Sequence, residues 1–193
     1  MNIQIRKEQI QEIKMEDKNY PEKLKHIYQP PKTLYVLGNR NLLSTKSIAI
    51  IGCRDCSEYG KKLAKYFAQE LAKKEITIIS GLARGIDTYA HQGSILAGNG
   101  KTIAVLGCGL DTIYPPENIK LYQEILKKGG AIITEYPLGI KPLKQHFPAR
   151  NRIISGLSDG VFVIEARNRS GTLITVNHAL EQGKDVYAVP RKN

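Results

Sequence analysis

From residue 47 onward the chain repeats one pattern: a short apolar run, a glycine-bearing turn, then an amphipathic stretch of helical length. The runs are Ser47 to Ile51, Ile76 to Ile79, Thr102 to Leu106, Ala131 to Thr134, Val161 to Ile164 and Val186 to Val189, each rich in Ile and Val. Runs that stay apolar, rather than alternating, belong to strands covered on both faces, as in a parallel sheet. Between them, Tyr59 to Lys73, Ile86 to Ala97, Asn118 to Lys128 and Leu173 to Gln182 place apolar residues every three or four positions, with charges opposite. The alternation predicts an α/β chain: a mostly parallel, Rossmann-like sheet with helices on both faces.

Residues 1 to 46 differ in texture, with two weakly helical stretches, the stiff Pro30-Pro31 pair and a short apolar run at Leu34 to Leu37. They are expected as an N-terminal extension packed on a core domain spanning residues 47 to 193. A chain of 193 residues can bury a core without staples. No apolar run approaches the roughly 18 residues of a membrane span. Met1 to Glu8 alternates polar and apolar where an export signal needs a continuous apolar segment, so the expected location is the cytoplasm. The three cysteines Cys53, Cys56 and Cys108 argue against a disulfide framework and fit a reducing compartment. Cys53-x-x-Cys56 reads first as small turn residues. A redox pair or half a zinc site are the alternatives, but nearby sequence offers no further zinc ligands at suitable spacing. No metal or cofactor is expected.

A formal net charge of +11 points to a polyanionic partner, either nucleic acid or an acidic membrane face. No long amphipathic helix with a basic face stands out, which disfavours the membrane. One segment concentrates the chemistry. Gln145-His146-Phe147-Pro148-Ala149-Arg150-Asn151-Arg152 puts two guanidinium groups and an aromatic ring beside a proline, and with Lys141 and Lys144 residues 141 to 152 carry four positive charges and no acid. Arginine forks match phosphate oxygens, and a ring can stack on an unpaired base but not on one inside a duplex. The bland alternative is a solvated surface loop with a buried Phe.

Ligands of open α/β sheets gather outside the carboxyl ends of the strands, so the turns there are the other candidates. After the first run, Gly52 lets backbone approach an anion, Arg54 adds a fixed charge, and Ser57 can cap a helix whose N-terminal amides face the ligand. An ordinary capped turn is the alternative. The next turn, Ser80-Gly81-Leu82-Ala83-Arg84-Gly85, aims Arg84 at the same edge. Asp87 and His91, four apart on the following helix, allow an acid-base pair but read first as structural. Ser170, Gly171 and Thr172 open the last helix with hydroxyls and free amides, and Arg167 and Arg169 add charge. The turn from Gly107 to Pro116 reads as architectural.

Taken together these turns resemble the DNA-processing protein A family, also called DprA or Smf. The likeness runs from Tyr20 to Pro190. It rests on Tyr20-Pro21, Pro31-x-x-Leu34-Tyr35, Gly52-Cys53-Arg54, Ser80 to Asp87, Ala90-His91, Gly107 to Asp111, Tyr114-Pro115, Glu135-Tyr136-Pro137, Phe147-Pro148-x-Arg150-Asn151-Arg152 and Glu165-Ala166. The resemblance implies an extended Rossmann fold, a homodimer, and a basic pocket that grips single-stranded DNA during natural transformation and helps hand it to the RecA recombinase. It further implies that Gly52, Cys53 and Arg54 hold a phosphate, Lys144 contacts the strand, Phe147 meets a base, and Arg150, Asn151 and Arg152 shape the pocket. The family usually has Ser or Thr at the position of Cys53, so a hydroxyl contact to phosphate is weakened while the backbone contact survives. Members often carry an additional N-terminal helical or C-terminal winged-helix-like domain, and neither is expected here.

The leading expectation is a non-catalytic, sequence-tolerant binder of single-stranded DNA. The DNA-contacting set is Gly52, Cys53, Arg54, Ser80, Gly81, Arg84, Lys144, Gln145, His146, Phe147, Arg150, Asn151, Arg152, Ser170, Gly171 and Thr172. The rival is a nucleotide-processing enzyme resembling the lonely-guy phosphoribohydrolases. Gly171-Thr172 is followed by Leu173-Ile174-Thr175-Val176, with no carboxylate where that chemistry needs one, and Glu165 substitutes only if it points into the pocket. A basic module for a protein partner is the third possibility.

Overall fold

A computed structural model describes residues 7–98, 101–167 and 170–190. Its strands are β1 (Ile10–Lys14), β2 (Thr33–Gly38), β3 (Ser47–Gly52), β4 (Thr77–Ser80), β5 (Thr102–Val105), β6 (Ala131–Thr134), β7 (Gly160–Glu165) and β8 (Asp185–Ala188). Its helices are the single turn α1 (Glu22–Lys25), then α2 (Glu58–Lys73), α3 (Ile86–Leu96), α4 (Ile119–Lys127), α5 (His146–Leu157) and α6 (Gly171–Glu181). The strands form one sheet in the order β1-β2-β6-β5-β4-β3-β7-β8. From β6 to β8 every pairing is parallel, and β1 and β2 run antiparallel at the β6 edge.

Alternate residues of each buried strand feed two layers, as the period of two requires. Ala49, Ile51, Ile103, Val105, Ile133 and Val161 meet Leu24, Ile153, Ile154 and Leu157, so α1, α5 and α6 cover one face. Ile50, Ile78 and Ile164 meet Ala64, Ala68, Ala72 and Ile86 of α2 and α3 on the other face. Farther along that face Ala104 and Ile132 meet Leu121, Tyr122 and Ile125 of α4. The α/β architecture with helices on both faces is that read from the runs. The N-terminal segment enters the sheet itself: β2 pairs with β6 through Tyr35 to Gly38, and Tyr20, Leu24 and Leu34 join the first core.

The basic segment is helical from His146, not the solvated surface loop of the bland alternative. Pro148 stands in the first turn of α5, where an amide has no intrahelical acceptor, so the ring costs no hydrogen bond. The sheet order places β4, β5 and β6 on one side of β3 and β7 and β8 on the other. The carboxyl ends of β3 and β7 thus form a topological switch point, where the turns diverge and leave a crevice. Among the described residues no helix is long and apolar enough to cross a membrane.

Candidate nucleic-acid interface

A cleft of ≈ 630 Å³ opens at this switch point, between the turns after β3 and β7, the start of α5 and the start of α6. Gly52, Cys53, Arg54, Lys144, Phe147, Arg150, Asn151, Ser170, Gly171 and Thr172 all line it. Ile51, Ile154 and Ile174 add an apolar part to the lining.

The turn after β3 is fixed by backbone. The Cys53 amide donates to the Glu165 carbonyl at 2.8 Å, and the Cys53 carbonyl accepts from the Ile86 amide at 3.2 Å. Gly85 makes this approach feasible: its φ is +76°, and a Cβ there would stand 2.3 Å from the Cys53 carbonyl oxygen. Arg54 leaves the turn exposed, its guanidinium carbon 5.5 Å from the centroid of the Phe147 ring. Ser57 caps α2 by accepting the Gly60 amide at 3.0 Å. The Glu165 carboxylate in turn accepts the Ser57 amide at 3.0 Å and the Ser57 hydroxyl at 2.8 Å. The entrance to α2, read as a phosphate cradle, therefore already holds an anion of the protein itself. Burial opposes the Glu165 charge, but the hydrogen bonds from Ser57 outweigh it and hold the pKa below its usual value. Burial, with Glu165 nearby, pushes the Cys53 thiol up to about 11, and burial raises Cys56 as well, so neither is a thiolate nucleophile at neutral pH. Among the described residues no group of three or more His, Cys, Asp or Glu could hold a metal ion.

Helix α5 supplies the opposite wall. His146 is held through Nδ1 by the Gly107 carbonyl at 3.1 Å and stacks on Tyr136 at 4.2 Å, which orients the start of the helix. Phe147 is half-buried, with Tyr114 as a second ring 5.3 Å away. Asn151 donates to the Gly171 carbonyl at 3.2 Å and ties α5 to the start of α6. Gln145 is exposed at the head of α5, outside the lining.

The two arginines of α5 have different fates. Arg150 is 4% exposed, and its Nη1 donates to the Gly81 carbonyl at 2.7 Å and to the Val105 carbonyl. Burial lowers its pKa to about 10, partly offset by Asp87, and it remains a cation at the base of the cleft. Arg152 is a correction to the image of a free phosphate fork. It grips the Glu135 carboxylate with both terminal nitrogens, at 2.7 and 2.6 Å, and lies outside the cleft lining.

Of the remaining candidates, Ser80 is buried and donates to the Ile50 carbonyl at 2.7 Å, so it holds the sheet. Asp87 accepts the amides of Gly81 and Ala83 at 3.1 and 3.3 Å and stabilises a turn in which Leu82 has a φ of 56°. His91 is fully buried against the Thr102 hydroxyl at 2.7 Å, with Asp87 not among its partners. Arg84 is exposed and paired with Glu117. Arg167 pairs with Asp55 at 2.9 Å on the rim, while Arg169 lies outside the described residues. Among the described residues the buried Ser170 hydroxyl at the start of α6 has no hydrogen-bond partner. Tyr114, counted from the sequence within an architectural turn, also lines the cleft. Its signal was its place in a glycine- and proline-rich turn at the same sheet edge, which composition alone reads as architecture.

A family model described as DNA recombination-mediator protein A matches residues 11–193. The chain is 48% identical over 174 residues to a DNA processing protein DprA of Streptococcus pneumoniae, covering 90% of this chain and 61% of the relative. It is 47% identical over 171 residues to the Smf protein of Escherichia coli, covering 89% of this chain and 46% of the relative. The chain thus spans about half to three-fifths of the length of these relatives. The solved structure of the Streptococcus pneumoniae protein superposes with a TM-score of 0.89 at 45% identity, over 95% of this chain and 64% of that one. A structure of DNA processing protein A from Helicobacter pylori, reported for its single-stranded DNA binding mode, superposes with a TM-score of 0.87 at 36% identity. It covers 95% of this chain and 82% of its own.

Proposed function

The chain belongs to the family of DNA recombination-mediator protein A, and from that premise we propose that it holds a single DNA strand in the cleft between the β3 and β7 turns. One observation carries the reading: the exposed Arg54 guanidinium and the half-buried Phe147 ring meet at 5.5 Å on the wall of the cleft. A guanidinium beside an aromatic face offers a phosphate contact and a stacking surface within one nucleotide's reach, and only an unpaired base can use the second. Lys144 adds an exposed cation, and the start of α6 adds amides that favour an anion. The likeness to the Helicobacter pylori protein supports the same ligand class.

The binding is non-catalytic. Asp87 is engaged with two backbone amides, His91 is sealed in the core, the Glu165 carboxylate is engaged by Ser57 and Asp55 is paired with Arg167, so none of these four groups is poised as an acid or base. Affinity comes from phosphate neutralisation and stacking, so it tolerates sequence and falls with salt. On the family relationship rest the further parts of the proposal: the protein acts as a homodimer in the cytoplasm, protects incoming strands during natural transformation, and helps load RecA recombinase on them.

The test is a fluorescence-anisotropy titration of labelled oligo-dT at two salt concentrations, with an equal-length duplex as competitor. For about four neutralised phosphates the log-log salt slope is near −3, and the duplex does not displace the strand. Absence of binding at low salt, or equal displacement by duplex, overturns the reading.

A further inference from the structure

The crevice continues beyond the Phe147 ring. Past the Arg54–Phe147 contact a smaller lobe of ≈ 320 Å³ runs between Tyr114, Ala83 and Arg84. Tyr114 borders both lobes, is 41% exposed, and sets its ring 5.3 Å from Phe147 at an interplanar angle of 37°. No hydrogen bond among the described residues holds its hydroxyl, so the fold makes no evident use of that group. At the far wall Arg84 is paired with Glu117, and both side chains are more than half exposed, at 63% and 55%. A pair so exposed is weak and opens readily to a stronger anion.

We infer that this lobe is a second nucleotide subsite, in which Tyr114 stacks the base neighbouring the one on Phe147 and the phosphate between them takes Arg84 from Glu117. The inference rests on the single-strand reading of the cleft and deepens it. Two rings on one wall form a platform for successive bases, and a tyrosine face serves any base equally. Arg84 converts from an internal pair to a phosphate contact, while the Glu117 carboxylate stays nearby as a like charge that opposes the strand. Glu117 is thus a built-in brake on affinity.

The experiment titrates oligo-dT against the wild-type chain and the variants Phe147→Leu, Tyr114→Leu, Tyr114→Phe and Glu117→Gln, at several salt concentrations, with thermal melts for each. Tyr114→Leu is expected to weaken binding about five- to 150-fold, the range for losing one stacked base, while Tyr114→Phe retains it. Glu117→Gln is expected to bind more tightly and to steepen the salt slope, because Arg84 is released to the strand. If the wild type binds and Phe147→Leu weakens it, but Tyr114→Leu and Glu117→Gln both match wild type, the second subsite is overturned and the cleft reading stands. If the wild type binds no strand at low salt, the cleft reading fails and this inference with it.

Discussion

Arg150 and Gly81 compete for one volume: Arg150 Nη1 donates to the Gly81 carbonyl at 2.7 Å, and a Cβ on Gly81 would stand 2.5 Å from that same nitrogen. The guanidinium is fixed there because the Val105 carbonyl accepts from it as well, and because Asp87 lies close enough to offset part of its desolvation. A glycine in one turn thereby makes room for a buried cation from a distant helix.

Gly81→Ala should push Arg150 off both carbonyls and leave buried acceptors unsatisfied. The expected loss is about 2 to 6 kcal/mol, from about 1 to 3 kcal/mol for each of the two orphaned carbonyls. It should show as a lower urea midpoint with an unchanged m-value. A midpoint equal to wild type would mean that Arg150 relocates freely.

Arg54→Ala and Lys144→Ala should each weaken single-strand binding and flatten the log-log salt slope by about 0.7, the increment for one phosphate contact on a single strand. Both side chains are exposed, so melting temperature should barely move. Unchanged affinity and slope in both variants would remove the cleft as the binding site.

Arg152→Ala should behave in the opposite way. The pair with Glu135 is largely buried, with side-chain exposures of 11% and 18%, and removing one partner leaves a buried charge. A stability loss of about 3 to 5 kcal/mol is expected. The double variant Arg152→Met with Glu135→Leu should recover most of it, since no lone charge remains. In conditions where Arg152→Ala still folds, its salt slope should equal that of wild type; a flattened slope would return Arg152 to the strand-contacting set.

Burial, and behind it the Arg150 cation, depress the His91 pKa from 6.5 to about 3. The unfolded chain therefore takes up a proton near pH 6.5 that the folded chain refuses, so this contribution is complete above that pH and is lost as pH falls toward 3. Urea stability measured between about pH 6 and pH 5 should fall by up to about 1.4 kcal/mol per unit from this one group. Asp87, whose pKa burial raises, titrates in the opposite sense in parent and variant alike. His91→Gln should be less stable at neutral pH but lose this acid slope; an identical slope in the variant would assign the effect to other groups.

The six parallel strands and four of the helices were legible because hydrophobic period is local: Ile50 and Ala49 disclose a doubly covered strand whatever surrounds them. The turns at the carboxyl ends were legible for a related reason, since glycine, serine and arginine at a strand end carry their chemistry with them, and Gly52, Arg54, Phe147 and Gly171 do line one cleft. Helix α5 was not among the helices read from the sequence, and Pro148 by itself does not reveal it, because its meaning depends on whether it falls in a first turn or an interior. Which charges remain available to a strand was not legible at all. Arg54, Arg150 and Arg152 are the same residue type in one basic chain, yet Arg54 is exposed, Arg152 is neutralised by Glu135, and Arg150 is held by carbonyls 69 and 45 positions away. Likewise the entrance to α2 is filled by Glu165, 108 residues from Ser57. Composition and spacing determined how many charges the chain has and at which edge they gather. Only the order of the strands, which decides what lies across the switch point from each side chain, determined which of them stay free, because an ion pair forms over a few ångströms in space regardless of separation along the chain.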